Sequence, residues 1–235
     1  MITLEKMLAS SLHLGHKVKQ WNPKMKMYIY GERKGIHIID LLQTLVCLKK
    51  VCNFLIRSTK KGKKFKVLFV CTKRYFSTLT KMAAINSHSF FVTERWLGGT
   101  LTNWVTIKSC INKLKVLNSK QSAKKNTKSL TKKETLILVK KNLLLEKYFS
   151  GIKNMIKIPD IVIIIGQTKE INAVKECLKL DISTITIVDT NCNPTLTKYV
   201  IPANDDSISS VSLILSILSN SINKGFNKIN KKVKN

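Results

Sequence analysis

Two runs without a polar residue, Val67-Leu68-Phe69-Val70 and Ile161-Val162-Ile163-Ile164-Ile165, constrain this chain more than any other feature. A strand apolar on both faces must be covered on both faces, the situation of an inner strand in a parallel sheet flanked by helices. Helical periodicity surrounds them. Asp40 is placed to cap a helix over residues 41–57, in which Leu41, Leu45, Leu48, Cys52 and Leu55 recur at helical spacing. Further helices are expected over residues 4–12, 76–86 and 169–180. A last one, capped by Asp206, carries Ile208, Val211, Leu215, Leu218 and Ile222. Strands are expected at 35–39, 89–92, 184–188 and 199–201, and residues 13–30 read as an irregular basic segment. The alternation predicts an α/β fold, a three-layer sandwich with a parallel sheet and right-handed crossovers.

One stretch breaks the rhythm. Residues 103–118 and 130–150 read as two consecutive helices, with no strand between them. Ile107, Ile111, Leu114 and Leu117 line the first, and Leu136, Val139, Leu143 and Tyr148 are expected to face inward on the second. The tip, 119–129, is rich in Lys, Ser and Asn. The pattern predicts a protruding α-helical hairpin at 103–150 inserted into an α/β domain of residues 1–102 and 151–223. Residues 224–235 read as a basic polar tail.

Charge narrows the function. The net charge is +29, and residues 1–150 carry +25 of it. Basic residues cluster around Trp21 (Lys17, Lys19, Lys24, Lys26), over 57–74 and over 108–141, with Glu134 the one acid in those clusters. Such an excess points to a polyanion, whose phosphates release counterions when neutralised. A membrane surface is the rival, but no apolar run approaches the length of a span. Only Arg33, Arg57, Arg74 and Arg95 are arginine, against 38 lysines. Lys, Asn and Ile have A/T-rich codons, which suggests an A+T-rich genome such as many organelles carry.

Catalytic motifs are weak. No GxGxxG, GxxxxGK[ST] or GxSxG is present. Gly166-Gln167-Thr168 follows an apolar strand and could face an anion, but a lone glycine reads more simply as a βα turn. His13 and His16 form HxxH without the Glu of a zinc motif, which favours a histidine in a polar network. Cys71 borders Lys73-Arg74 yet has no nearby base. Six cysteines without a CxxC pair read as free thiols. Asp189 alone among the acids at strand ends lacks a capping explanation. An α/β enzyme using Gly166 and Asp189 with a nucleotide, and an RNA-binding module outside any larger particle, are the rival readings. No secretory or transit segment is expected at the start.

The most distinctive stretch is Arg95-Trp96-Leu97-Gly98-Gly99 followed by Leu101-Thr102-Asn103-Trp104. Around it, in order, stand His13-Leu14-Gly15-His16, Trp21-Asn22-Pro23-Lys24-Met25, Gly35-Ile36-His37-Ile38-Ile39-Asp40 and Thr72-Lys73-Arg74. Later come Leu130-Thr131-Lys132-Lys133-Glu134, Gly151-Ile152-Lys153, Pro159-Asp160, Asp189-Thr190-Asn191 and Ile201-Pro202-Ala203-Asn204-Asp205-Asp206. On these motifs, spread over nearly the whole chain, the sequence resembles the small-subunit ribosomal protein two family, bacterial type, in its plastid-encoded form. The resemblance implies a structural RNA-binding protein of an organellar small ribosomal subunit. It implies no catalytic residue, metal or cofactor, no membrane and no small-molecule substrate. The expected partners are small-subunit rRNA and neighbouring small-subunit proteins. The expected place is the plastid stroma, with the mitochondrion as alternative. Lys17, Lys24, Lys26, Arg33, Lys73, Arg74 and Arg95 are the expected phosphate and sugar contacts. Trp96, Gly98, Gly99 and Trp104 are expected to fix the junction between sheet and hairpin. Cys71 stands where the family usually has Gly, and an acidic C-terminal extension is not seen.

Overall fold

The computed structural model describes residues 3–60, 65–123 and 132–232. A five-stranded parallel sheet forms its centre, in the order β5-β4-β6-β7-β8. These strands are β4 (Val67–Val70), β5 (Phe90–Val92), β6 (Ile161–Ile165), β7 (Ser183–Val188) and β8 (Tyr199–Pro202). The two apolar runs pair with each other in register, Val67 opposite Ile161 and Val70 opposite Ile164. Each is buried at every position.

Strand alternation sorts the core into two layers. Val67, Phe69, Ile161, Ile163, Ile165, Ile185 and Ile187 point to one face. Against it lie α1 (Leu4–Ala9), α2 (Leu41–Thr59), α3 (Arg74–Asn86) and α7 (Ile208–Lys232). Leu68, Val70, Val162 and Ile164 point to the other. That face packs on α6 (Ile171–Lys179) and on the base of α4 (Trp104–Ala123) and α5 (Lys132–Phe149). Each such fully buried aliphatic contributes roughly 1.5–3 kcal/mol of transfer free energy. The three-layer sandwich is as expected.

Residues 13–30 are not merely irregular. β1 (Leu14–Lys17), β2 (Ile29–Arg33) and β3 (Ile36–Ile39) form an antiparallel sheet in the order β1-β3-β2. Short length and irregular registers hid β1 and β2, whose pairings with β3 each contain a shift. This small sheet docks on the carboxyl ends of β7 and β8. Asn22 N donates to Thr190 O at 2.8 Å, Asn204 N to Leu12 O at 3.1 Å, and Met25 packs on Val188 and Cys192.

The hairpin helices pack on each other, but with a different seam on α5. Leu136, Val139 and Leu143, expected inward, are 61%, 42% and 60% exposed. The inward stripe is instead Leu138, Asn142, Leu145 and Phe149. Two aliphatic stripes of equal period compete on this helix. The one containing Asn142 faces inward: Phe149 and Leu145 on it pack into the core cluster, and Asn142 Nδ2 donates to Asn118 Oδ1 across the seam at 2.8 Å. Residues 124–131, which include most of the Lys-rich tip and the start of the expected second helix, lie outside the described residues.

The C-terminal boundary also moves. Helix α7 continues to Lys232, past the expected tail start at 224. Phe226 supplies the reason by packing on the core, and Asn223 Nδ2 donates to Asn86 O. Asp206 is not the cap. Asn204 Oδ1 receives the N–H groups of Asp206 and Ser207, leaving the Asp206 carboxylate free for another use.

Candidate nucleic-acid interface

The expected cations fall in two groups, both at the carboxyl end of the parallel sheet. Lys17, Lys24, Lys26 and Arg33 belong to the docked antiparallel sheet. Lys17 and Arg33 flank Ile36 from the two neighbouring strands, and Lys24 and Lys26 lie on the short turn Pro23–Tyr28. The fold of that turn is local: Asn22 Oδ1 caps it by accepting from Lys24 N, and Pro23 sits at its start. Lys73 and Arg74 follow β4, and Arg95 follows β5. Since Val70 pairs with Val92, these two segments leave adjacent strands at the same end. Lys17, Lys24, Lys26, Arg33, Arg74 and Arg95 are exposed and have no carboxylate partner among the described residues.

Lys73 differs. Its ammonium lies 3.2 Å from Asp205 Oδ1 and 2.8 Å from Asp206 Oδ1, and it donates to Asp205 O at 3.1 Å. Burial alone would depress its pKa, but the two carboxylates carry it above the ordinary lysine value. Its charge is directed inward, so its expected phosphate contact conflicts with this placement.

A polar network surrounds that lysine. His16 Nδ1 meets Asp189 Oδ2 at 3.1 Å, and His16 Nε2 meets Asp206 Oδ2 at 3.3 Å. The hydrogen bond with Asp189 raises the His16 pKa, against the opposing effect of burial. Burial raises Asp205, with the Asp189 and Asp206 charges adding to it. Asp206 is pulled down despite burial, because Lys73 and His16 face it. Asp189, unexplained from sequence, thus holds His16 and also receives Thr190 N. His16, Asp189 and Asp206 line a hollow of about 290 Å³ with Gly15, Lys17 and Asn204.

His16, Asp189 and Asp205 present ligand atoms within 4.8 Å of one another, a donor set that a divalent cation could engage. Lys73 already supplies positive charge there. In open α/β sheets, ligands bind at the carboxyl ends where the strand order reverses, here between β4 and β6. In this chain that crevice is filled. Lys73 Cε lies 2.9 Å from where a Cβ on Gly166 would stand, and Glu170 Oε1 accepts from Thr72 N. Cys71 is fully buried, which pushes its thiol up to about 11. A deprotonated nucleophile is not what this environment favours.

The tryptophan-glycine motif is an anchor. Glu176, on α6, accepts from Trp96 Nε1 (2.9 Å), Gly99 N (2.8 Å), Leu101 N (2.8 Å) and Thr102 N (3.2 Å). Burial would raise this carboxyl, but those donors hold it below its ordinary value. Gly99 has φ +85°, a region other residues enter at a cost. Gly98 is exposed, Trp96 is buried and Trp104 half-buried at the start of α4. Trp96, Gly98 and Gly99 therefore sit between β5 and the hairpin, and Trp104 opens the hairpin's first helix. Trp21 lies tilted on His37, with ring centroids 5.3 Å apart.

Sequence reading missed Glu170 and Glu176. The signal was scarcity: the chain has only 13 acidic residues. Glu170 also sits three residues before Ala173 and four before Val174, on the buried stripe of α6.

Comparison with known proteins agrees with the motifs. The family model described as "Ribosomal protein S2" matches residues 7–225. The chain is 70% identical over 227 residues to "Small ribosomal subunit protein uS2c" of Euglena gracilis, covering 97% of this chain and 93% of that one. It is 50% identical to the protein of the same name from Mesostigma viride, over 95% and 97% of the two chains. It is 44% identical to "Small ribosomal subunit protein uS2" of Synechococcus sp. (strain CC9311), over 95% and 93%. With a family match and relatives of this identity running almost end to end, the chain belongs to the ribosomal protein S2 family.

Proposed function

We propose that the exposed cations at the carboxyl end of the sheet are the groups that seat this protein on small-subunit rRNA. The chain is a structural constituent of the small ribosomal subunit, acts in translation in a plastid, and is not an enzyme. The reading of the interface is carried by one observation. Six of the seven expected cations are exposed, unpaired among the described residues, and borne by elements at one end of one sheet. Phosphate contacts of this kind position a protein without reading sequence. Trp96, Gly98, Gly99 and Trp104 orient the hairpin against that end. Neighbouring small-subunit proteins complete the surroundings.

The test is binding of the isolated chain to small-subunit rRNA across a salt series. The expected result is an affinity that falls linearly with salt on logarithmic axes, with a shallower slope when Lys24, Lys26 and Arg33 are changed together to Ala. An unchanged slope in that triple variant would remove the antiparallel sheet from the interface.

A further inference from the structure

The hairpin carries a surface that rRNA binding does not explain. Between α4 and α5 runs a groove of about 390 Å³ whose floor is Val116, Leu117 and Leu138. Lys113 and Lys141 stand at its sides. Neither lysine has a carboxylate partner among the described residues. The hairpin helices also leave Val105, Ile137 and Leu144 exposed.

A phosphate backbone covers lysines and leaves an aliphatic floor wet. A protein segment covers both, if it brings apolar side chains for the floor and carboxylates for the rims. The hairpin cannot supply those carboxylates for itself, since residues 104–149 contain only Glu134 and Glu146.

We infer that this groove receives an acidic amphipathic segment of a neighbouring small-subunit protein. The inference rests on the ribosomal placement above and specifies which side of the hairpin meets protein. Leu117 and Leu138 are half-buried, so the floor is preformed and the segment adds its own side chains to an existing seam. Lys113 and Lys141 then pair with its Asp or Glu residues, steering orientation and association more than raw affinity.

The experiment uses plastid small subunits containing this chain, beside the free protein. Lysines are acetylated under native conditions and quantified by mass spectrometry. Separately, a carbodiimide joins amines to contacting carboxylates without a spacer. Severalfold lower acetylation of Lys113 and Lys141 in subunits is expected. So are carbodiimide links from both to carboxylates of one protein segment with apolar residues at three- and four-residue spacing. Val116→Glu, at an exposed position, should abolish those links without shifting the unfolding midpoint of the free chain. Acetylation equal to that of the free protein overturns the inference. So does protection that disappears with ribonuclease while no carboxylate is linked, because that assigns the groove to RNA. Links unaffected by Val116→Glu overturn it as well. Failure of the chain to cosediment with small subunits would instead defeat the ribosomal placement itself.

Discussion

The α/β body and the helical hairpin are built to different degrees of completeness. In the body, apolar residues alternate into two covered layers, and carboxylates such as Glu170, Glu176, Asp189 and Asp205 each meet donors or cations. On the hairpin, Leu136, Val139 and Leu143 face outward from α5 beside Lys140 and Lys141, which have no carboxylate partner among the described residues. In the body, the carboxylates that join distant segments find their partners within the fold. The hairpin instead sets exposed aliphatic side chains beside lysines on one outer face. The contrast separates residues whose loss should cost folding from residues whose loss should cost assembly.

The sharpest way to break that contrast is at Gly151, where the chain leaves the hairpin and runs beside β5. A Cβ there would stand 2.0 Å from Phe91 O and 2.5 Å from its ring. Both obstacles belong to the sheet edge, so neither moves cheaply. Gly151→Val should cost about 4 kcal/mol or more of stability, enough to leave much of the chain unfolded. Chemical denaturation of the free protein measures this. A midpoint within error of the parent would show that the junction is looser than the body it joins.

Glu176→Ala comes next. It strips a charged acceptor from Trp96 Nε1 and from the N–H groups of Gly99, Leu101 and Thr102 together. About 3 kcal/mol is expected, since hydrogen bonds to charged groups and newly unsatisfied donors both count. The pH dependence has a definite sign. The folded-state pKa of Glu176 lies below its ordinary 4.5. Its contribution is therefore fully present above about 4.5 and is lost as pH falls through the lower folded value. Acid titration of parent and variant should show their midpoints converging toward low pH. Parallel curves would mean that the carboxylate is not what the motif leans on.

These residues also show where sequence was informative. The two apolar runs specified inner strands because burial on both faces leaves no other pattern. Helix α2 was legible through Asp40, whose Oδ1 accepts from Leu42 N at 2.9 Å, and through its apolar stripe. Helix α5 was misread for a physical reason: Leu136-Val139-Leu143 and Leu138-Leu145-Phe149 are both helical stripes, and the tie is broken by distant contacts, the packing of Leu145 and Phe149 on the core and the Asn142–Asn118 hydrogen bond. The motif at 95–104 was legible as a tight turn, yet its acceptor lies some 75 positions along the chain (Glu176 to Leu101). Local pattern cannot encode a contact at that separation. The pairing of Lys73 was invisible for the same reason, since its carboxylates are 132 and 133 positions away.

Lys73 and Arg95 offer a smaller but more discriminating pair. Both are expected to contact phosphate, but Lys73 is paired with Asp205 and Asp206, whereas Arg95 has no carboxylate partner among the described residues. Lys73→Ala should destabilise the free chain by about 2 kcal/mol, by leaving Asp205 buried without its cation. The salt slope of its rRNA binding should be unchanged. Arg95→Ala should do the reverse, with stability unaffected and the slope shallower by roughly 0.7–0.9. If the Lys73 variant alone lost slope, its ammonium would have to leave Asp205 and Asp206 when RNA binds.

The smallest effect is expected where hydrophobicity alone would predict a large one. Leu143 is 60% exposed and Leu136 61% exposed, on the solvent side of α5. Changing either to Ser in the free protein removes little buried area, so stability should move by no more than about 0.5 kcal/mol. Leu138→Ser, one stripe away, should cost distinctly more, because that side chain is half-buried in the seam with α4. Denaturation midpoints of the three variants decide between the stripes. If Leu143→Ser proved as costly as Leu138→Ser, the outward face would be supporting the hairpin itself. The contrast between the body and the outward face of the hairpin would then have to be redrawn.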